Sequence, residues 1–305
     1  VSADRAHSYS RRETFRLAMG LLAWRLLAPT AQAAPPMRVV TLFQGATDTA
    51  VALGVTPCGV VDSWSEKPMY RYLRAALAEV PHVGLETQPS LEDIALLEPD
   101  LIVASRFRHE RIAVLLEQLC PVLMLDEVFE FEQTLLRMGA ALHRRQLAMD
   151  IQARWRQRLV QLRERLERRF ADDWPLTVSV LDIREDHVRS YLPGSFSGSV
   201  LDQLGFAWSV ASRSVGGVSI KLTSRESLPV VDADIFFVFL RADTPSMQRS
   251  YQALLGHPLW QRLRAPQRGR VWQVDGVAWS LSGGILGANL MLDDIERVAS
   301  TAVAS

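Results

Sequence analysis

The side chains of this 305-residue chain that are able to do chemistry are mainly arginines and large aromatics, and they recur just past short apolar runs that read as strands. In the first half Gln44 follows Arg38–Leu42, Trp64 follows Gly59–Val61, and Arg106 follows Leu101–Ala104. In the second half Arg184 and Tyr191 follow Thr177–Leu181, Arg213 stands in a later loop, Arg241 follows Ile235–Leu240, and Trp279 follows Arg270–Val274. In open α/β sheets the loops beyond the carboxyl ends of the strands hold the ligand. Arginine offers carboxylate, catecholate or hydroxamate oxygens a planar fork of donors, and Trp and Tyr can wall the apolar rim. Taken singly, each Arg is as readily a surface ion pair, and Trp64 and Trp279 as readily core. The case rests on several of them falling at strand ends. All basic residues except Lys67 and Lys221 are Arg, which a GC-rich genome explains better than function does.

Other chemistries lack their signatures. A dinucleotide enzyme would carry G-x-G-x-x-G after the first strand, but Phe43-Gln44-Gly45-Ala46-Thr47-Asp48 has one Gly. Gly194-Ser195-Phe196-Ser197-Gly198 is not a nucleophile elbow, and His187 reads as a solvated loop residue. The six His show no metal-binding spacing. Cys58 and Cys120 each start a strand and are expected to be two free, buried thiols, since a bridge needs their Cα atoms within about 7 Å. With Lys+Arg 34 and Asp+Glu 34, no basic excess points to nucleic acid.

The elements that would position these residues are those of an α/β fold. The composition, 48% hydrophobic and 22% charged, is that of a globular protein, and the length suits two domains. Residues 1–33 read as an export signal: Arg11-Arg12 in a twin-arginine pattern, an apolar run from Leu17, and Ala31-Gln32-Ala33 as a cleavage site. No Cys stands at that cleavage point, so a soluble periplasmic product without a lipid anchor is expected. Removing five Arg, Asp4 and Glu13 leaves 29 basic and 32 acidic residues, a net charge of −3. Strand and helix alternate over 34–130 and again over 172–305, which predicts two parallel-sheet α/β lobes. Between them, over 131–171, stand two helices. The second, Arg145 to Phe170, has Ile151, Trp155, Leu159, Leu162 and Leu166 on one face. At 1.5 Å per residue it is a strut of about 39 Å along both lobes. Its many arginines read as a solvated face, leaving a cleft between the lobes as the candidate site.

Four stretches, taken in order, resemble a known family: Gly84 to Glu92 with Glu98-Pro99-Asp100-Leu101-Ile102; Gly198 to Gly205; His257-Pro258-Leu259-Trp260; and Gly269 to Asp275 with Trp279. From about Val39 to Val298 the chain resembles the periplasmic iron–siderophore binding proteins, the helical-backbone (class III) solute receptors. Ferric-citrate receptors are nearest, with ferric-hydroxamate and vitamin B12 receptors further off. The resemblance implies a monomeric two-lobe receptor that changes shape little. It would bind a ferric siderophore, with the iron held by the siderophore and no cofactor of its own, and pass it to an ABC permease and its ATPase. It further implies that Glu92 and Glu226, one per lobe, dock onto permease arginines; both also sit in the first turn of a helix, where the dipole favours an acid. Some relatives carry Arg where this chain has Glu86, which would disfavour plain ferric dicitrate and favour a larger siderophore with cationic groups. A heme or cobalamin receptor of the same fold is the alternative, and an α/β enzyme acting on a small molecule is the alternative of another class.

Overall fold

The computed structural model describes residues 37–300; the twin-arginine stretch and its cleavage site lie outside the described residues. The first sheet is built from β1 (Val39–Thr41), β2 (Gly59–Asp62), β3 (His82–Leu85), β4 (Gln88–Pro89), β5 (Leu101–Ser105) and β6 (Val122–Leu125). Their spatial order is β4-β3-β2-β1-β5-β6, parallel except for the β3–β4 pair. Every residue of β1 and β5 is buried, as a sheet covered on both faces requires. The order runs one way from β1 to β4 and the other way from β5 to β6. Helix α1 (Gln44–Ala52) therefore starts where the strand order reverses, which is where such sheets open a crevice. Helix α2 (Leu91–Leu96) begins after Ser90, whose hydroxyl accepts from Asp93 N–H, the N-cap that the sequence predicts.

Two helices lead out of this lobe, α3 (Phe131–Ala141) and α4 (Arg145–Phe170). The apolar stripe of α4 is buried through Trp155, Leu159, Leu162, Leu166 and Phe170. Trp155 meets Phe131 edge-on at 5.3 Å between ring centroids. Several of the arginines on α4 are not simply solvated. Arg158 donates to the Asn289 carbonyl (3.1 Å) and Oδ1 (3.0 Å), and with Arg165 it pairs Glu296 on the last helix of the chain.

The second sheet holds β7 (Val178–Ile183), β8 (Val188–Tyr191), β9 (Ser219–Leu222), β10 (Ile235–Leu240) and β11 (Val271–Gln273), in the order β11-β10-β7-β8-β9. A wholly parallel sheet was expected; instead β7–β8 and β8–β9 are antiparallel. The chain turns back through Glu185 and Asp186, with Arg184 N–H donating to the His187 carbonyl (3.0 Å). This hairpin carries none of the Asn-Gly or Asp-Gly signals that mark such turns. Its second strand, β8, is short and half polar, so its period does not stand out. His187 is not solvated either: its ring is 7% exposed and 2.6 Å from Asp186 Oδ1. Cys58 and Cys120 are unbridged, but only half-buried.

The lobes are welded together at the back. One cluster of buried residues runs from β1 and α1 through α3 and α4 to β7, β10 and the last helix. From the second lobe α5 (Phe196–Leu204) packs on α4, and the last helix, α6 (Ile285–Ser300), returns to pack on α1. Its first turn is capped across the lobes by Asp48 of α1. Asp48 Oδ1 accepts from Leu286 N–H (2.8 Å), and Oδ2 accepts from Gly287 N–H (2.9 Å) and the Tyr72 hydroxyl (2.8 Å). Asp48 is fully buried, and burial pushes its carboxyl up to about 6 against the pull of those three donors.

Candidate functional site

A cleft between the lobes encloses a cavity of about 360 Å³. Its floor is set by close backbone approach. A Cβ on Gly45 would lie 2.4 Å from the Gly283 carbonyl oxygen, and one on Gly283, whose φ is 63°, 2.7 Å from the Val128 carbonyl oxygen. Only glycine allows these segments to meet. Gln44, at the start of α1, is buried; its backbone N–H donates to Glu86 Oε2 (3.2 Å) and its side-chain amide to the Asp62 carbonyl (3.1 Å).

The first-lobe wall is built around Glu86. Although it lines the cleft, it is only 4% exposed, and it accepts from Gln44 N–H, from Trp64 Nε1 (3.2 Å) and from Arg108 Nε (3.1 Å). Arg108 lies over the rings of Trp64 (5.4 Å) and Phe107 (4.7 Å), both about half exposed. Burial raises the Glu86 carboxyl, and the Arg108 charge works against that rise. Behind it, Ser105 N–H donates to His109 Nδ1 (3.1 Å), so His109 Nε2–H is left to donate to the Glu86 carbonyl (2.9 Å). Burial lowers the basicity of this imidazole, and both contacts fit its neutral form. The acid expected to repel an anion is therefore already matched by a guanidinium, and this wall is close to neutral.

The second-lobe wall carries uncompensated charge. Arg189, Tyr191 and Arg241 line the cleft. Tyr191 stacks on Phe239 with centroids 6.1 Å apart. Among the described residues Arg189 pairs with no carboxylate, and Arg241 has one long contact, 3.9 Å to Asp182 Oδ2. Trp279 forms part of the cleft wall yet is fully buried; its Nε1 donates to Asp294 Oδ2 (2.8 Å) and its ring lies 4.5 Å from Phe237. It is core and lining at once.

Of the eight residues selected from the sequence, the cleft brings together Gln44, Trp64, Tyr191, Arg241 and Trp279. Arg106, Arg184 and Arg213 do not line it. Arg106 opens a helical turn, Arg106–His109, rather than a loop. Two residues further on the helix is rotated by roughly 200°, so Arg108 faces the cleft while Arg106 pairs Glu110 (3.8 Å) and Asp126 (3.4 Å). Arg184 closes onto Asp182 (2.8 Å) and lines a separate hollow under the hairpin. Arg213 is exposed on the short helix Val210–Ser214. In the exchange Arg108 and Arg189 enter the site, each close in sequence to the Arg selected. The apolar and small residues of the wall, among them Val128, Phe129, Ser195 and Ser197, carried no sequence signal. Glu92 and Glu226 are both exposed, in the first turns after the caps Ser90 and Ser224.

Two α/β lobes, braced by a long helix and enclosing an arginine- and aromatic-lined cleft, define a solute receptor. The family model for periplasmic binding proteins matches residues 39–278. The achromobactin-binding periplasmic protein of Dickeya dadantii is 66% identical over 295 residues, 96% of this chain and 97% of that one. The Fe(3+) dicitrate-binding periplasmic protein of Escherichia coli is 30% identical, over 86% of this chain and 85% of that one. The crystal structure of Staphylococcus aureus SirA complexed with staphyloferrin B superimposes with a TM-score of 0.81 at 35% identity, over 88% of this chain and 94% of that one. The chain belongs to the periplasmic binding protein family, on the side of its siderophore-binding members. It is a solute-binding protein and not an enzyme.

Proposed function

We propose that this protein captures a ferric siderophore in the cleft with Arg189 and Arg241 on the iron-bound, anionic side of the chelate. The observation that carries this reading is the asymmetry of the walls: Glu86 and Arg108 cancel on one lobe, while on the other Arg189 and Arg241 line the cleft and the one carboxylate near them, Asp182, is already paired with Arg184 at 2.8 Å. Charge-assisted hydrogen bonds from such groups are the strong ones, and the apolar residues around them exclude competing water. Among the described residues no group of three or more His, Cys, Asp or Glu is placed to hold a metal ion. Ferric achromobactin is the first candidate, on the 66% identity to a protein named for it. With Glu86 matched by Arg108, the ligand needs no cationic group to tolerate that acid.

In this reading the receptor acts in the periplasm after twin-arginine export, as a monomer, and hands its cargo to an ABC permease with its ATPase. The exposed Glu92 and Glu226 are its docking points, one on each lobe. Among the described residues no helix is long and apolar enough to cross a membrane. The test is tryptophan quenching of the purified protein by ferric achromobactin, ferric citrate, heme and cobalamin, read through Trp64 and Trp279. Saturation by the ferric siderophore at the lowest concentration is expected; tighter binding of heme or cobalamin would overturn the assignment.

A further inference from the structure

Among the buried polar side-chain atoms that accept or donate no hydrogen bond, three lie close together: Asp182 Oδ1, Arg189 Nε and Arg241 Nη1. They belong to one group of side chains. Asp182, on β7, is fully buried, and Arg189 is its direct cross-strand neighbour on β8, so the two side chains share a face. Asp182 Oδ2 accepts from Arg184 Nε (3.0 Å) and Nη2 (2.8 Å) and from the Tyr191 hydroxyl (3.5 Å), and lies 3.9 Å from Arg241 Nη1. One carboxylate thus sits beneath three guanidiniums, two of which line the cleft. An acid there lowers the attraction for an anionic ligand, and an unpaired buried oxygen is itself costly. Neither cost is explained by the ligand's own chemistry, because Asp182 is not part of the cleft lining.

We propose that Asp182 is the positioning residue of this cation cluster: out of contact with the ligand, it holds Arg241 and Tyr191 at the angle from which they reach into the cleft, with Arg189 aligned beside them. Arg184 neutralises it, so the wall keeps the positive charge of Arg189 and Arg241. The inference rests on reading the cleft as an anion site, and its sign separates two kinds of electrostatics. If Asp182 were only an unfavourable charge, Asp182→Asn would tighten anion binding. As a positioning residue its loss weakens binding although the cleft becomes more positive.

The experiment measures ferric achromobactin affinity by tryptophan quenching for the native protein, Asp182→Asn, Arg241→Gln and the double variant. Asp182→Asn is expected to lose about tenfold or more, the scale for breaking a buried charge contact behind a binding group. In the Arg241→Gln background the same change should cost less than about twofold, because residues that act as a unit are not additive. Equal or tighter binding by Asp182→Asn, or fully additive losses, would overturn the proposal. Nitrogen-15 relaxation of the arginine Nε–H groups in the native, ligand-free protein gives a reading that needs neither a folded variant nor the right ligand. Arg184 and Arg241 should be rigid where the exposed Arg213 is mobile; an Arg241 as mobile as Arg213 would sink the positioning role. If the native protein fails to bind ferric achromobactin, the ligand assignment falls while the relaxation result still decides for or against Asp182.

Discussion

Replacing Arg189 and Arg241 together by Ala should abolish most of the affinity for the ferric siderophore, while Arg106→Ala should leave it nearly unchanged. A hydrogen bond to a charged group contributes about 1.5–3 kcal/mol. Arg241 keeps 31% of its side chain exposed, so solvent screening argues for the lower end. Two such contacts then amount to about 3 kcal/mol, and at 1.4 kcal/mol per decade the double variant should bind roughly 150-fold more weakly. Arg106 is 55% exposed and already engaged with Glu110 and Asp126. Exposed pairs of that kind contribute at most about 1 kcal/mol to stability, and none of it reaches the cleft. The assay is quenching of Trp64 and Trp279 fluorescence on titration, with circular dichroism to show that each variant is folded. A double variant within about fivefold of native, or an Arg106→Ala variant as weak as the double, would refute the assignment of the anion to the second-lobe wall.

The Asp48 carboxyl, up to about 6 when folded against 3.8 for the free group, takes part in pH-dependent stability. A raised carboxyl stabilises the fold most below the unfolded value and loses that contribution as pH rises through 6; over the window this is about 3 kcal/mol. Denaturant melts from pH 4 to 7 should therefore show a component, absent in Asp48→Asn, by which the native protein is favoured towards the acid side. Gly45→Ala forces a methyl group to within 2.4 Å of the Gly283 carbonyl oxygen and should destabilise by about 1–3 kcal/mol, seen as a lower thermal midpoint. Glu92→Ala combined with Glu226→Ala should bind the siderophore as the native protein does yet fail to support iron uptake in cells; normal uptake would remove the docking role.

The regular parts of the fold were legible because their signals are local. The apolar stripe of α4 and its span, the Ser90 cap, and the buried runs of β1, β5 and β10 follow from periodicity and capping alone. The antiparallel β8 and β9 were hidden because Val188–Tyr191 and Ser219–Leu222 are short and mix polar with apolar residues, and because the turn from β7 into β8 has no glycine. That error carried into the site. With β8 read as loop, nothing distinguished Arg189 from Arg184, yet the hairpin register sends one to the cleft and the other onto Asp182. Arg106 and Arg108 divide in the same way by helical rotation. Spacing thus located the right segments but not the side of each segment that faces the ligand. The neutralisation of Glu86 by Arg108 joins two segments 22 residues apart and has no local signature.

The back of the molecule bears on how the cleft can bind. Opening the lobes about their joint would withdraw Asp48 from Leu286 and Gly287 N–H, leaving a buried carboxylate without its donors, and would part Gly45 from Gly283. It would also shear a core that is continuous from β1 to α6. Each of these resists a wide hinge motion, because an unpaired buried charge and a broken core contact are among the costliest changes a fold can suffer. The guanidiniums are therefore presented in a cleft whose shape is largely set before the ligand arrives. Preorganisation of this kind lowers the ordering cost of association, so a cavity of about 360 Å³ with few polar contacts can still bind tightly. With the lobes fixed, the side chains left free to adjust to a ligand are those at the mouth of the cleft, where the half-exposed Trp64 and Phe107 stand beside Arg108.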